Sequence, residues 1–242
     1  ADIFLRRAAG LGEVLLPTAV PNLHLVSGAG SLLDIANPQH AQKMKLIRQL
    51  FSLEADEIFI DLGAGSSFTV LDFFLAARET IVVVAPVPTS VENAYHFLKA
   101  AFFRRLKQAL ARAGAARLAS RAMEEQVARG IRTPRHLLAE IGDIDPQAGD
   151  AIARDLRLFA PRLLVNQVRR EEEMLLGAQM SEACHDYFGL ESSCLGALRH
   201  DDKVLAAVQG KKPVLLAYPQ SAFATGVEAL AGPLFDPQGE LS

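Results

Sequence analysis

Apolar and polar positions along this chain follow two rhythms. Short unbroken apolar runs, without polar alternation, suit strands buried on both faces, as in parallel sheets. Such runs form the cores of strands predicted at residues 57–62, 80–86, 162–168 and 194–198, with a shorter one at 23–26. The run at 80–86 is the clearest, β-branched at its centre and stopped by Pro86. Between the runs, apolar residues recur every three or four positions, the helical period. Asn37 and Pro38 open one such helix as cap and first-turn proline; it reaches about Leu53, with Met44, Ile47, Leu50 and Phe51 on one face. Ser66 or Ser67 opens a second, through Val70, Leu71, Phe73, Phe74 and Ala77. Pro88, Thr89 and Ser90 open a third, whose stripe is Val91, Tyr95, Leu98, Phe102, Leu106 and Ala109. Later helices are predicted at 180–187, stopped by Gly189, at 204–208, capped by the aspartates before it, and at 221–231. Residues 1–9 read as the tail of a helix broken by Gly10 and Gly12. Strand, helix and strand in this rhythm predict an α/β fold, a mostly parallel sheet flanked by helices and joined by right-handed crossovers.

One stretch departs from the alternation. Between Val91 and Phe159 no run reads as a strand, and the helical pattern is expected to break at Gly114, Gly130, Gly142 and Pro146. Residues 97–159 are therefore read as an all-helical insertion within a single domain, residues 1–242. Its first part is basic throughout: Lys99, Arg104, Arg105, Lys107, Arg112, Arg117 and Arg121. Phe97 points away from the apolar stripe and needs a cover. Such a face suits anionic lipid, nucleic acid or an acidic partner, or is simply a solvated helix face.

Composition narrows the classes. A chain of 242 residues, half of them hydrophobic, has enough apolar surface for one large core. No apolar run approaches the roughly 20 residues that span a bilayer. The net charge of -3 gives no footprint for sequence-specific nucleic acid. Cys184 and Cys194 form neither a metal nor a redox spacing, so a reduced, cytoplasmic setting is expected. The start at Ala1, without methionine or secretory signal, reads as a cut.

The candidate chemistry centres on Asp61. It closes the apolar run at 57–62 and is followed by Gly63, Ala64 and Gly65. An aspartate at the carboxyl end of a parallel strand lies where open α/β sheets bind ligands, and can hold Mg²⁺, often through water, beside nucleotide phosphates. The two glycines permit positive φ and let backbone N–H groups approach a terminal phosphate. Asn166, near the end of the run at 162–168, offers an amide that both donates to and accepts from a purine; loop backbone is its other natural partner. His185, His200 and the cysteines form the basis of a weaker metal or redox reading. Ser27, Gly28, Ala29 and Gly30 read as a strand-to-loop turn, since no lysine follows.

Four segments together resemble the MinD/ParA family of deviant P-loop ATPases: IFIDLGAG at 58–65, IVVVAPVPTS at 81–90, LLVNQV at 163–168 and LGALRHDDKVLAAVQGKKP at 195–213. The similarity covers nearly the whole chain and is closest to a bacterial MinD-like branch with a helical insertion. It implies a P-loop NTPase fold and a Mg²⁺-ATP-dependent homodimerisation switch that positions a cellular structure, cytoplasmic or peripheral at the inner face of the membrane. In that family's terms Asp61 is the catalytic, Mg²⁺-linked aspartate. Gly63, Ala64 and Gly65 form the turn near the γ-phosphate, Asn166 contacts adenine, and Pro213 lines the base pocket. Val87 stands where relatives often carry an acid. No glycine-rich run ending in lysine and serine or threonine occurs in the chain. The first strand and phosphate loop are thus expected to precede Ala1, and this chain alone is expected to be inactive. The reading from another class is a non-hydrolysing binding module acting through the basic helices.

Overall fold

The computed structural model describes residues 11–26, 40–115 and 133–235. The chain divides into two compact units, Ala1–Ala77 and Arg78–Ser242.

The first unit holds a small antiparallel pair, β1 (Leu16–Pro17) and β2 (His24–Leu25), and two helices, α1 (His40–Phe51) and α2 (Phe68–Ala76). Leu46 and Ile47 of α1, Leu71 and Phe74 of α2, and Leu11 are its buried apolar residues. The expected α1 face shifts by about one position. Met44 and Phe51 are exposed, and Lys43 takes an inward place beside Leu46 and Ile47. The run at 57–62 is not a strand. It carries no ladder hydrogen bonds, and Ile58, Phe59 and Ile60 are exposed, Phe59 by 74%. A strand exists only through a neighbour that takes its N–H and C=O groups, and among the described residues none pairs with this one.

The second unit is an α/β layer. Its sheet is parallel, in the order β3–β4–β5, from β3 (Ile81–Val84), β4 (Arg162–Val168) and β5 (Ser193–Arg199). Helices α3 (Pro88–Arg112) and α6 (Leu176–Phe188) pack on the sheet, as does α9 (Ala222–Phe235) on β5. The core gathers Val84, Leu163 and Val165 from the sheet with Leu98, Phe102 and Phe188 from the helices. The Phe102 and Phe188 rings lie 5.1 Å apart. Val83, between two buried valines, is 57% exposed, so β3 is buried on one face only, unlike the two-sided burial expected of it.

α3 runs unbroken through Phe97. Gly114, with φ of 66°, ends it. Gly130 lies outside the described residues. Two further helices follow, α4 (Pro134–Ile144), capped by Thr133, and α5 (Pro146–Arg157), capped by Asp145. Gly142 does not break the chain; it sits inside α4, where a glycine costs about 1 kcal/mol against alanine. The room at the α4–α5 contact is made by Gly149 of α5: a Cβ on it would lie 2.6 Å from the Gly142 Cα, whereas a Cβ on Gly142 would meet nothing within 4 Å. Phe97 is half-buried.

The basic run is likewise less free than its sequence implies. Arg105 and Arg112 both reach Asp155 of α5, at 2.7 and 2.9 Å. They tie α3 to α5. Lys99 lies over the Tyr95 ring, and Lys107 is exposed. Arg117 and Arg121 lie outside the described residues.

Candidate functional site

The turn after residues 57–60 is built from local chemistry. The Asp61 side chain accepts the N–H of Gly63 through Oδ1, at 3.3 Å. Gly63 has φ of 62° and Gly65 of 128°, which L side chains rarely adopt. A Cβ at either would meet nothing within 4 Å, so backbone conformation and not space demands glycine there. Two residues after Gly65 the Ser67 Oγ accepts the Val70 N–H and caps α2. Asp61, Gly63, Ala64 and Gly65 are all exposed. The result is a carboxylate, two positive-φ glycines and a capped helix within seven residues. That donor set fits a cation held through water and an anion facing backbone N–H groups. The difference from the sequence reading is that Asp61 follows an unpaired extended segment, not a buried strand.

The other expected site residues belong to the second unit. Asn166 lies at the carboxyl end of β4, half-buried. Its Oδ1 accepts the N–H of Gln167, at 2.8 Å. Gln167 has φ of 63°, and the ladder between β4 and β5 shifts register there. The asparagine oxygen thus stabilises a bulge in the strand. Pro213 is exposed and caps the short helix α8 (Val214–Ala217).

A charged network at the ends of β4 and β5 escaped the sequence reading. Glu173 accepts the N–H groups of Arg169 and Arg170, at 2.8 and 3.1 Å, and the Arg170 guanidinium at 2.8 Å. Chiefly the Arg169 N–H, then the Arg170 side chain, hold its carboxyl down to about 2. Glu171 pairs with Arg199. His200 Nε2 stands 3.0 Å from the Arg169 guanidinium and 3.1 Å from Asp202. Asp201 accepts the N–H of Lys203, capping α7 (Asp202–Gln209), and that of Phe223 at the start of α9. These N–H groups, that of Lys203 foremost, lower its pKa. The capping role expected of the aspartates was legible because an acid directly precedes an apolar helix. The network at Glu173 was not legible because its partners come from the backbone just before it, which no side-chain pattern marks.

The metal or redox reading finds no support in geometry: among the described residues no three His, Cys, Asp or Glu side chains gather as a metal site. Cys184 is buried, and burial pushes its thiol up, away from the reactive thiolate. Among the described residues no helix is long and apolar enough to cross a membrane.

No family model matches the chain. Over 234 residues it is 23% identical to antiactivator FleN of Pseudomonas aeruginosa. The alignment covers 96% of this chain and 65% of FleN, so the chain spans a little under two thirds of that relative's length. The chain is thus an α/β protein with a parallel sheet that is weakly similar, over most of its length, to an antiactivator.

Proposed function

We propose that this chain belongs to a nucleotide-dependent regulator of the MinD/ParA type, which binds Mg²⁺-ATP, dimerises in the ATP state and turns ATP over slowly. The observation that carries the reading is the exposed turn at residues 61–65, with its free-standing carboxylate face and two glycines at positive φ. The parallel sheet and the similarity to FleN support it. In this reading Asp61 orients the water shell of the cation, and Gly63, Ala64 and Gly65 present N–H groups to the terminal phosphate. Asn166 and Pro213 serve the base. The cation supplies charge neutralisation on the phosphates when bound. By its likeness to FleN, an antiactivator, the regulator opposes an activator, and the exposed basic positions of α3 take part in partner or anionic-surface contact.

The test uses the full-length protein. Asp61→Asn is expected to lower ATP turnover at least tenfold, about 1.4 kcal/mol of barrier, with unfolding temperature unchanged. Wild-type turnover in that variant removes Asp61 from the chemistry.

A non-hydrolysing binding module acting through the basic helices is the second reading, supported by the exposed Lys107 of α3. Binding of Mg-ATP by the full-length protein without release of phosphate would select it.

A further inference from the structure

Lys43 and Asp72 form an ion pair that nothing in the site chemistry above uses. Nζ of Lys43 lies 2.9 Å from Oδ2 of Asp72, and the two side chains are 8% and 10% exposed. Lys43 comes from α1, in helical phase with buried Leu46 and Ile47; Asp72 comes from α2, next to buried Leu71. α2 is nine residues long, and Leu71 and Phe74 are its only fully buried residues. Only Ser66 separates Gly65 of the turn from Ser67, the cap of α2. The orientation of α2 is therefore linked to the turn through one intervening residue.

A buried ion pair is a poor choice for stability alone. The cost of taking both charges from water offsets most of their attraction, and a well-packed apolar pair does as well or better. What the pair supplies is direction: one carboxylate oxygen meets one ammonium, whereas apolar side chains tolerate several orientations. We infer that Lys43 and Asp72 are positioning residues, a latch that fixes α2 against α1 and so holds the turn at residues 61–65 in register for the terminal phosphate. This rests on the nucleotide reading above.

The experiment uses the full-length protein and reads ATP turnover, ADP affinity and unfolding temperature together. Asp72→Asn and Lys43→Met are expected to lower kcat at least tenfold while ADP affinity stays within twofold, because ADP lacks the phosphate that the turn would face. Lys43→Arg, which keeps the charge, is expected to stay within threefold of wild type. The double variant Lys43→Met/Asp72→Leu keeps the latch testable if a single variant fails to fold. It is expected to recover the wild-type unfolding temperature but not kcat. Recovery of kcat together with stability in the double variant, or unchanged kcat in folded Asp72→Asn, overturns the latch and leaves the nucleotide reading standing. A wild-type protein without ATP turnover overturns both.

Discussion

Glu173 and Asn166 show how single residues at the ends of β4 do more than their sequence neighbours suggest. Three donors converge on Glu173, two of them backbone N–H groups, and its carboxyl is held down to about 2 from the ordinary 4.5. The folded carboxyl ionises more readily than the unfolded one. Its contribution to stability is therefore complete above about pH 4.5 and is lost as the pH falls towards 2. Glu173→Gln removes that dependence. Thermal unfolding between pH 4.5 and 2 is expected to show a smaller fall in Tm for the variant than for the wild type; equal slopes would mean that the three contacts are not kept in solution. Asn166 has a divided side chain, with its oxygen on the Gln167 N–H and its amide hydrogens left for another acceptor. Asn166→Asp keeps the acceptor and removes the donors. In the full-length protein it is expected to leave stability within about 1 kcal/mol of wild type while weakening nucleotide binding by the value of one or two hydrogen bonds, about 1–3 kcal/mol. Unchanged affinity in a calorimetric titration would confine Asn166 to the bulge.

At the scale of elements, the helices between β3 and β4 are held by a contact that sequence separation conceals. Arg105 and Asp155 lie fifty positions apart, yet their side chains meet at 2.7 Å and are both 12% exposed. A second bond runs from Arg105 to the Asp155 carbonyl, at 3.2 Å. The basic stretch of α3 is thus of two kinds. Arg105 is a structural tie, and Lys107 is exposed surface. Arg105→Glu places two carboxylates face to face in a nearly buried site and is expected to destabilise by about 3–5 kcal/mol. Lys107→Glu is expected to change stability by no more than about 0.5 kcal/mol. Denaturant titrations of the two variants check this, and similar midpoints would dissolve the distinction. Thr133 and Asp145, each followed by proline, set the starts of α4 and α5 by rules legible in sequence. The close passage of Gly149 over Gly142 was not legible, because a glycine that admits a neighbour and a glycine that breaks a helix are the same letter.

At the scale of the whole chain, the inventory of phosphate-binding groups decides what these 242 residues do alone. Triphosphate binding on a P-loop scaffold draws on a nest of N–H groups, a lysine and a hydroxyl. The chain carries the aspartate and its glycine turn but no run that combines those three. Each missing charge-assisted bond forfeits roughly 1.5–3 kcal/mol, against about 8 kcal/mol for a micromolar complex. Calorimetric titration of this chain with Mg-ATP is therefore expected to show affinity weaker than micromolar. Micromolar binding would reveal a phosphate site on residues other than those discussed.

The sequence by itself determined what depends on local rules. It settled the position and extent of β4, the place of β5, a serine cap at 66 or 67, capping by the aspartates at 201 and 202, the stop at Gly189 and the α/β class, because apolar period, capping and positive φ act within a few residues. The glycines after Asp61 were legible for the same reason, since their φ values are a property of the turn itself. Only the tertiary structure decided whether an apolar run becomes a strand. Residues 81–84 and 163–168 found partners in a ladder, whereas 57–62 did not, although its composition is as strand-like as theirs. Only the tertiary structure placed Lys43 inside and tied Arg105 down, because burial of a charge depends on the opposite charge that another element brings to it.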